Sequence, residues 1–98
     1  MNVTVDLCVI PLGVGLSLST YIAECQKILH KFNINCQLHA YGTNIEGEWD
    51  TVFSAIKQCH EHLHKLGVVR LHTSIKCGTR TDKTQLLDDK INSVKDCF

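Results

Sequence analysis

Residues 41–50 read YGTNIEGEWD, and how this stretch is taken decides the fold. Gly42 and Gly47 bracket TNIE, a segment short enough to be either a turn that enters a helix or an extended strand. Glu48 and Asp50 then place negative charge where a helix N-terminus favours it. Helical periodicity follows, with Trp49, Val52, Phe53, Ile56, Cys59, Leu63 and Leu66 on one stripe and Gly67 as the stop. Taken as extended, TNIE is the third strand of a β-α-β-β-α-β-α order, and we adopt that reading.

The flanking segments agree with it. VTVDLCVI alternates apolar and polar residues until Pro11 and Gly13 end the strand. Ser17 or Ser19 is placed to cap a helix on which Leu18, Tyr21, Ile22, Cys25, Ile28, Leu29 and Phe32 share a face. NINCQLHAY is the second strand, VVRLHTSIKC the last, and DKTQLLDDKINSVKDCF a closing helix bearing Leu87, Ile91 and Val94. Split β-α-β units in this order stack two helices on one face of an antiparallel sheet. The expectation is an α+β, ferredoxin-like βαββαβ sandwich with an additional C-terminal helix, residues 1–98 forming a single domain.

Such a sandwich leaves one sheet face uncovered. On the last strand Val69, Leu71, Thr73, Ile75 and Cys77 are expected to face the core, and Arg70, His72, Ser74 and Lys76 the open face. Thr4, Asp6, Cys8 and Ile10 of the first strand, and Gln37, His39 and Tyr41 of the second, share that open face. A mixed surface of this kind suits an interface or a pocket wall.

Ten Lys and Arg balance ten Asp and Glu, so the basic excess typical of phosphate-backbone binding is missing and nucleic acid is not an expected partner. Neutrality also permits copies of the chain to associate. No apolar run approaches the roughly 20 residues that cross a bilayer, so no membrane partner is expected. MNVTVDLCVIPLG reads as a strand rather than a signal peptide, since it has no basic start. The six cysteines form no C-x-x-C pair and fall mostly on apolar stripes, which reads as buried reduced thiols in a cytoplasmic protein.

HEHLH, residues 60–64, contains the H-E-x-x-H letters of many zinc hydrolases. At helical spacing His60 falls inside the apolar stripe, His64 at its edge and Glu61 towards solvent, and no third ligand is evident. We read the motif as helix packing, and we expect no metal, no cofactor and no enzyme activity.

Polar chemistry is dense in two places. In YGTNIEGEWD, Thr43 and Asn44 offer hydrogen bonds while Glu46 and Trp49 join an acid to an aromatic face, which suits a cationic or heteroaromatic ligand. In RLHTSIKCGTRTDK, residues 70–83, Arg70 and His72 lie on the open face, and Arg80, Asp82 and Lys83 surround a helix start. These cations could hold a sulfate or phosphate, or Arg80 and Asp82 could form a structural ion pair.

VIPLG, YGTNIEGEWD and RLHTSIKCGTRTDK, in this order and spacing, also resemble the thiamine-binding-protein-like family of archaea, bacteria and fungi. The resemblance covers the whole chain. It implies a ferredoxin-like fold, association through the sheets into dimers or tetramers, and binding of thiamine or its hydroxymethylpyrimidine part without known catalysis. It places Thr43, Asn44, Ile45, Glu46 and Gly47 near the ligand, with Trp49 just beyond. The expected function is therefore non-catalytic binding of thiamine or a related pyrimidine, with Thr43, Asn44, Glu46, Trp49, Arg70, His72, Arg80 and Lys83 as candidate ligand contacts. The alternative is a structural or regulatory homo-oligomer that binds anions only incidentally.

Overall fold

The computed structural model describes residues 1–98. The elements are β1 (Asn2–Leu12), α1 (Ser19–Leu29), β2 (Asn35–His39), β3 (Gly42–Glu48), α2 (Trp49–Lys65), β4 (Arg70–Gly78) and α3 (Leu87–Lys95). The strands form one antiparallel sheet in the order β2-β3-β1-β4, with α1 and α2 on one face. This is the ferredoxin-like arrangement with a third helix appended. TNIE is part of a full strand, and β3 is an interior one that pairs with β1 on one side and β2 on the other.

The core lies between the sheet and the helix pair. Val3, Val5 and Leu7 of β1 and Ile45 of β3 meet Cys25 and Leu29 of α1 and Val52, Ala55, Ile56, Cys59 and Leu63 of α2. Period-two alternation in the strands and 3.6-residue periodicity in the helices put these residues on facing surfaces.

Gly42 makes the central pairing possible. A Cβ there would lie 2.6 Å from the Leu7 carbonyl oxygen and 3.2 Å from Asp6 Oδ1. Only glycine lets β1 and β3 approach at that point.

Helix ends carry their own sequence logic. The Glu48 carboxylate caps α2 by accepting from the Thr51 N–H at 3.1 Å. At the other end Gly67 takes φ +100°, the Gly67 N–H donates to the His64 carbonyl and the Val68 N–H to the Leu63 carbonyl. That is a Schellman closure, and its hydrophobic contact is between Val68 and Leu63, both buried. The serine cap expected for α1 is absent. Leu18 occupies the N-cap position without a side-chain bond, and the Ser17 and Ser19 hydroxyls approach each other at 3.5 Å.

The expected inward set of β4 is only partly realised. Leu71 packs on the core and Thr73 bonds to His60, but Val69 is 91% exposed, and Ile75 and Cys77 are exposed as well. β4 is an edge strand and α2 lies over β3 and β1, so the helix layer does not cover its far half. The Schellman turn also sends Val68 rather than Val69 or Leu66 inward. Cys25 and Cys59 are buried, Cys8 and Cys36 half-buried, and Cys77 and Cys97 are exposed, so full burial, expected for most of the set, holds for two. All six are unpaired.

The histidines of HEHLH make three separate contacts. His60 Nε2 lies 2.6 Å from Thr73 Oγ1, His62 Nε2 2.9 Å from Glu24 Oε2, and His64 Nδ1 2.8 Å from the Val68 carbonyl oxygen, to which it donates. The motif ties α2 to β4, to α1 and to its own C-terminal turn. No helix of the chain is long and apolar enough to cross a membrane.

Two outcomes follow from this packing. Gly42→Ala forces the added methyl against backbone and should cost about 1–3 kcal/mol in a urea titration; an unchanged midpoint would show that β1 and β3 are not in close contact there. Burial, and then the neighbouring His64, hold His60 below the ordinary histidine range, so the unfolded chain takes up a proton near pH 6.5 that the native state resists. Stability should therefore fall as the pH drops below that value. His60→Gln keeps a hydrogen-bonding partner for Thr73 without titrating, so its urea midpoint should depend less on pH than that of the wild type. Equal pH dependence in both would remove His60 from the account.

Candidate functional site

Alternation along β3 sends neighbouring residues to opposite faces, and this divides the polar residues of YGTNIEGEWD between two cavities. Thr43 and Ile45 point to the helices and are buried, while Asn44 and Glu46 point to the open face. Across the sheet Asn44 stands between Gln37 and Asp6, and Glu46 between Asn35 and Thr4.

The first cavity is apolar, about 280 Å³, and lies where the sheet frays. β2 ends at His39 and β3 begins at Gly42, so β1 from Cys8 onward has no strand on that side. Leu7, Val9 and Ile10 of β1, Leu18, Ile22 and Leu29 beside or on α1, and Leu38 of β2 supply much of the wall. Leu38 and Tyr41 are strongly exposed there. No Lys, Arg, Asp or Glu lines the cavity.

Its polar content is concentrated in one pair. Gln26 Nε2 donates to Thr43 Oγ1 at 2.8 Å, and Thr43 is buried. This bond leaves the Gln26 carbonyl oxygen as an acceptor and the Thr43 hydroxyl proton as a donor, side by side in an apolar wall. His39 is fixed nearby. Its Nδ1 accepts from the Tyr41 N–H at 3.2 Å, so Nε2 carries the proton and donates to Asp6 Oδ1 at 2.8 Å. Both ring nitrogens are thus occupied, and neither is free to act as a base towards Cys8.

Two of the thiols, those of Cys59 and the half-buried Cys36, are held protonated. The Cys25 thiol beside it, and then burial, push Cys59 far up, and burial pushes Cys36 up.

The second cavity is polar, about 640 Å³, and lies at the opposite end of β1 and β3, between the sheet and α3. Glu46, Asn35 and Thr4 line it from the strands, and Arg80, Lys83, Thr84, Gln85 and Lys90 from the connecting segment and α3. Glu46 is already committed: Oε1 accepts from Asn35 Nδ2 at 2.6 Å, and Oε2 accepts from the Leu87 N–H at 2.8 Å, capping α3 across 41 residues of sequence. Arg80 is committed too. It grips Asp82 through Nε at 2.6 Å and Nη2 at 2.5 Å and donates to Gln85 Oε1 at 2.8 Å, holding the Asp82 carboxyl below its ordinary range. Of the two readings open in the sequence for Arg80 and Asp82, the ion pair is the one formed.

The eight candidates are therefore not one constellation. Glu46, Arg80 and Lys83 share the polar cavity, while Thr43 lines the apolar one. Asn44 sits mid-face between Asp6 and Gln37, and Arg70 and His72 are exposed at the far end of β4, opposite Leu12 and Ile10. Trp49 turns to the helix side, its ring centroid 4.6 Å from that of Phe53. Gln26 and Lys90 did not stand out in the sequence. Gln26 carries one signal, an uncharged polar residue directly beside Cys25 on the buried stripe of α1.

Comparison with known proteins agrees with this architecture. A sequence model described as thiamine-binding protein matches residues 5–95. A UPF0045 protein of Synechocystis is 56% identical over 95 residues, 97% of this chain and 78% of the relative. One from the fungus Eremothecium gossypii is 43% identical, covering 97% and 91% of the two chains. Among solved structures, a hypothetical protein of Methanocaldococcus jannaschii superposes with a TM-score of 0.90 at 29% identity, over 96% of each chain. A Thermotoga maritima protein, ascribed provisionally to thiamine biosynthesis or salvage, shares the fold with a TM-score of 0.81 at 16% identity, over 96% of this chain and 99% of its own. With the family pattern spanning nearly its full length and close relatives in bacteria and fungi, this chain belongs to the thiamine-binding protein family.

Proposed function

We propose that the protein binds thiamine or a related pyrimidine, without turning it over, in the apolar cavity between α1, β1 and the β2–β3 turn. The observation that carries this reading is the Gln26–Thr43 pair in a wall whose one other polar side chain, His39, has both ring nitrogens engaged. An aminopyrimidine edge presents an N–H donor next to a ring-nitrogen acceptor. The Gln26 carbonyl and the Thr43 hydroxyl are its complement, and against an apolar wall a mismatched edge leaves polar groups unpaired, which gives discrimination as well as affinity. The apolar wall takes the ring face, and Tyr41 at the mouth offers an aromatic surface to a thiazolium cation.

Binding rather than catalysis is supported by the same lining. It contains no carboxylate, and the one histidine has both nitrogens engaged. Family membership supports this class of ligand, and the lining of the cavity is consistent with holding it. On this reading Thr43 retains the contact role expected from its motif, with Gln26 as its partner, whereas Glu46 organises the other cavity.

Calorimetric titration with thiamine and with hydroxymethylpyrimidine tests this. The double variant Gln26→Leu/Thr43→Val removes both halves of the pair, so it should keep its fold while losing about tenfold or more in affinity. Glu46→Gln should bind as the wild type does. No saturable binding of either compound to the wild type, or undiminished affinity in the double variant, would refute the reading.

A further inference from the structure

We propose that the polar cavity is a second ligand site, for a small molecule bearing a phosphate or a similar doubly charged oxyanion held by Lys83 and Lys90, and that filling it seats α3 on the sheet. Among the charged side chains that line this cavity, Glu46 is absorbed by Asn35 and the α3 N-terminus, and Arg80 by Asp82. Lys83 and Lys90 are the two left without a carboxylate partner. They reach the cavity from different elements, one on the segment after β4 and the other on α3. An oxyanion bridging two ammonium groups is a charge-assisted contact, and the hydroxyls of Thr79 and Thr84 in the same lining supply further donors. The only carboxylate in the lining already accepts two hydrogen bonds, so the charge left unpartnered in this cavity is positive.

The coupling to α3 follows from how little else holds that helix. None of its residues is buried, and its first turn is tied to the sheet by the bond from the Leu87 N–H to Glu46. The other bond at that end, from the Leu86 N–H to Asp89 at 2.9 Å, is local to the helix itself. An anion clamped between Lys83 and Lys90 adds a second link beside the Glu46 cap. The ligand then acts as the tether that apolar packing does not provide.

Titration of the full chain with inorganic phosphate and with glycerol 3-phosphate, against sodium chloride at matched ionic strength, tests the site. Saturable binding is expected, with about a tenfold loss in Lys83→Ala and in Lys90→Ala. Amide exchange across Leu87–Lys95 should slow several-fold on saturation. Tighter binding of the ester would assign the cavity to an organic phosphate and equal affinity to the free ion, both through the lysine grip. A response matched by chloride, binding indifferent to both lysines, or unchanged exchange in α3 would overturn the proposal. Gln26→Leu/Thr43→Val should leave phosphate binding intact, which separates this site from the apolar one.

Discussion

The pairing of β1 with β3, which leaves no room for a side chain at Gly42, is the constraint on which the rest of the molecule depends. It places two strands side by side at the centre of the sheet, and both helices pack on the residues these strands turn inward. Because β3 begins at Gly42 while β1 continues to Leu12, the same pairing leaves β1 uncovered at one end and opens the apolar cavity there. On the open face the missing side chain at Gly42 also leaves room for His39 and Asp6 to meet.

From that strand the two sites diverge by simple alternation. Thr43 faces α1 and fixes Gln26, whereas Glu46, three residues on, faces the other way and fixes α3. A period of two puts residues separated by an odd number on opposite faces. Five consecutive positions of one motif can therefore serve two cavities of different chemistry, one apolar with a single hydrogen-bonding edge and one polar with uncommitted cations. The helices show the complementary economy. HEHLH spends its histidines on β4, α1 and its own terminal turn, so letters that suggest a metal centre serve instead as three packing contacts.

How far the sequence could be read depended on how local the physics was. The main stripe of α2 from Val52 to Leu63, the Gly67 stop and the alternation of β1 from Val3 to Leu7 involve only near neighbours, and each is present as expected. Failures came where distant elements compete. Ser17 and Ser19 are good caps in isolation, yet the chain enters α1 with Leu18 at the cap. Ile75 and Cys77 alternate correctly, but inward is not buried on an edge strand that α2 does not cover. Arg70, His72, Arg80 and Lys83 lie close together in the sequence, but a nine-residue strand separates them into two ends of the molecule.

The sequence by itself determined the order of the elements, the ferredoxin-like class and the segments in which polar chemistry gathers, because periodicity, turn residues and motif spacing are properties of a single chain segment. Only the tertiary structure decided which of those polar groups remain available. Glu46 looks free as a ligand group until α3 folds back onto it, and Gln26 looks like a surface residue until β3 brings Thr43 within 2.8 Å. A hydrogen bond between residues 17 or 41 positions apart is settled by where strands and helices pack, and no local pattern records it.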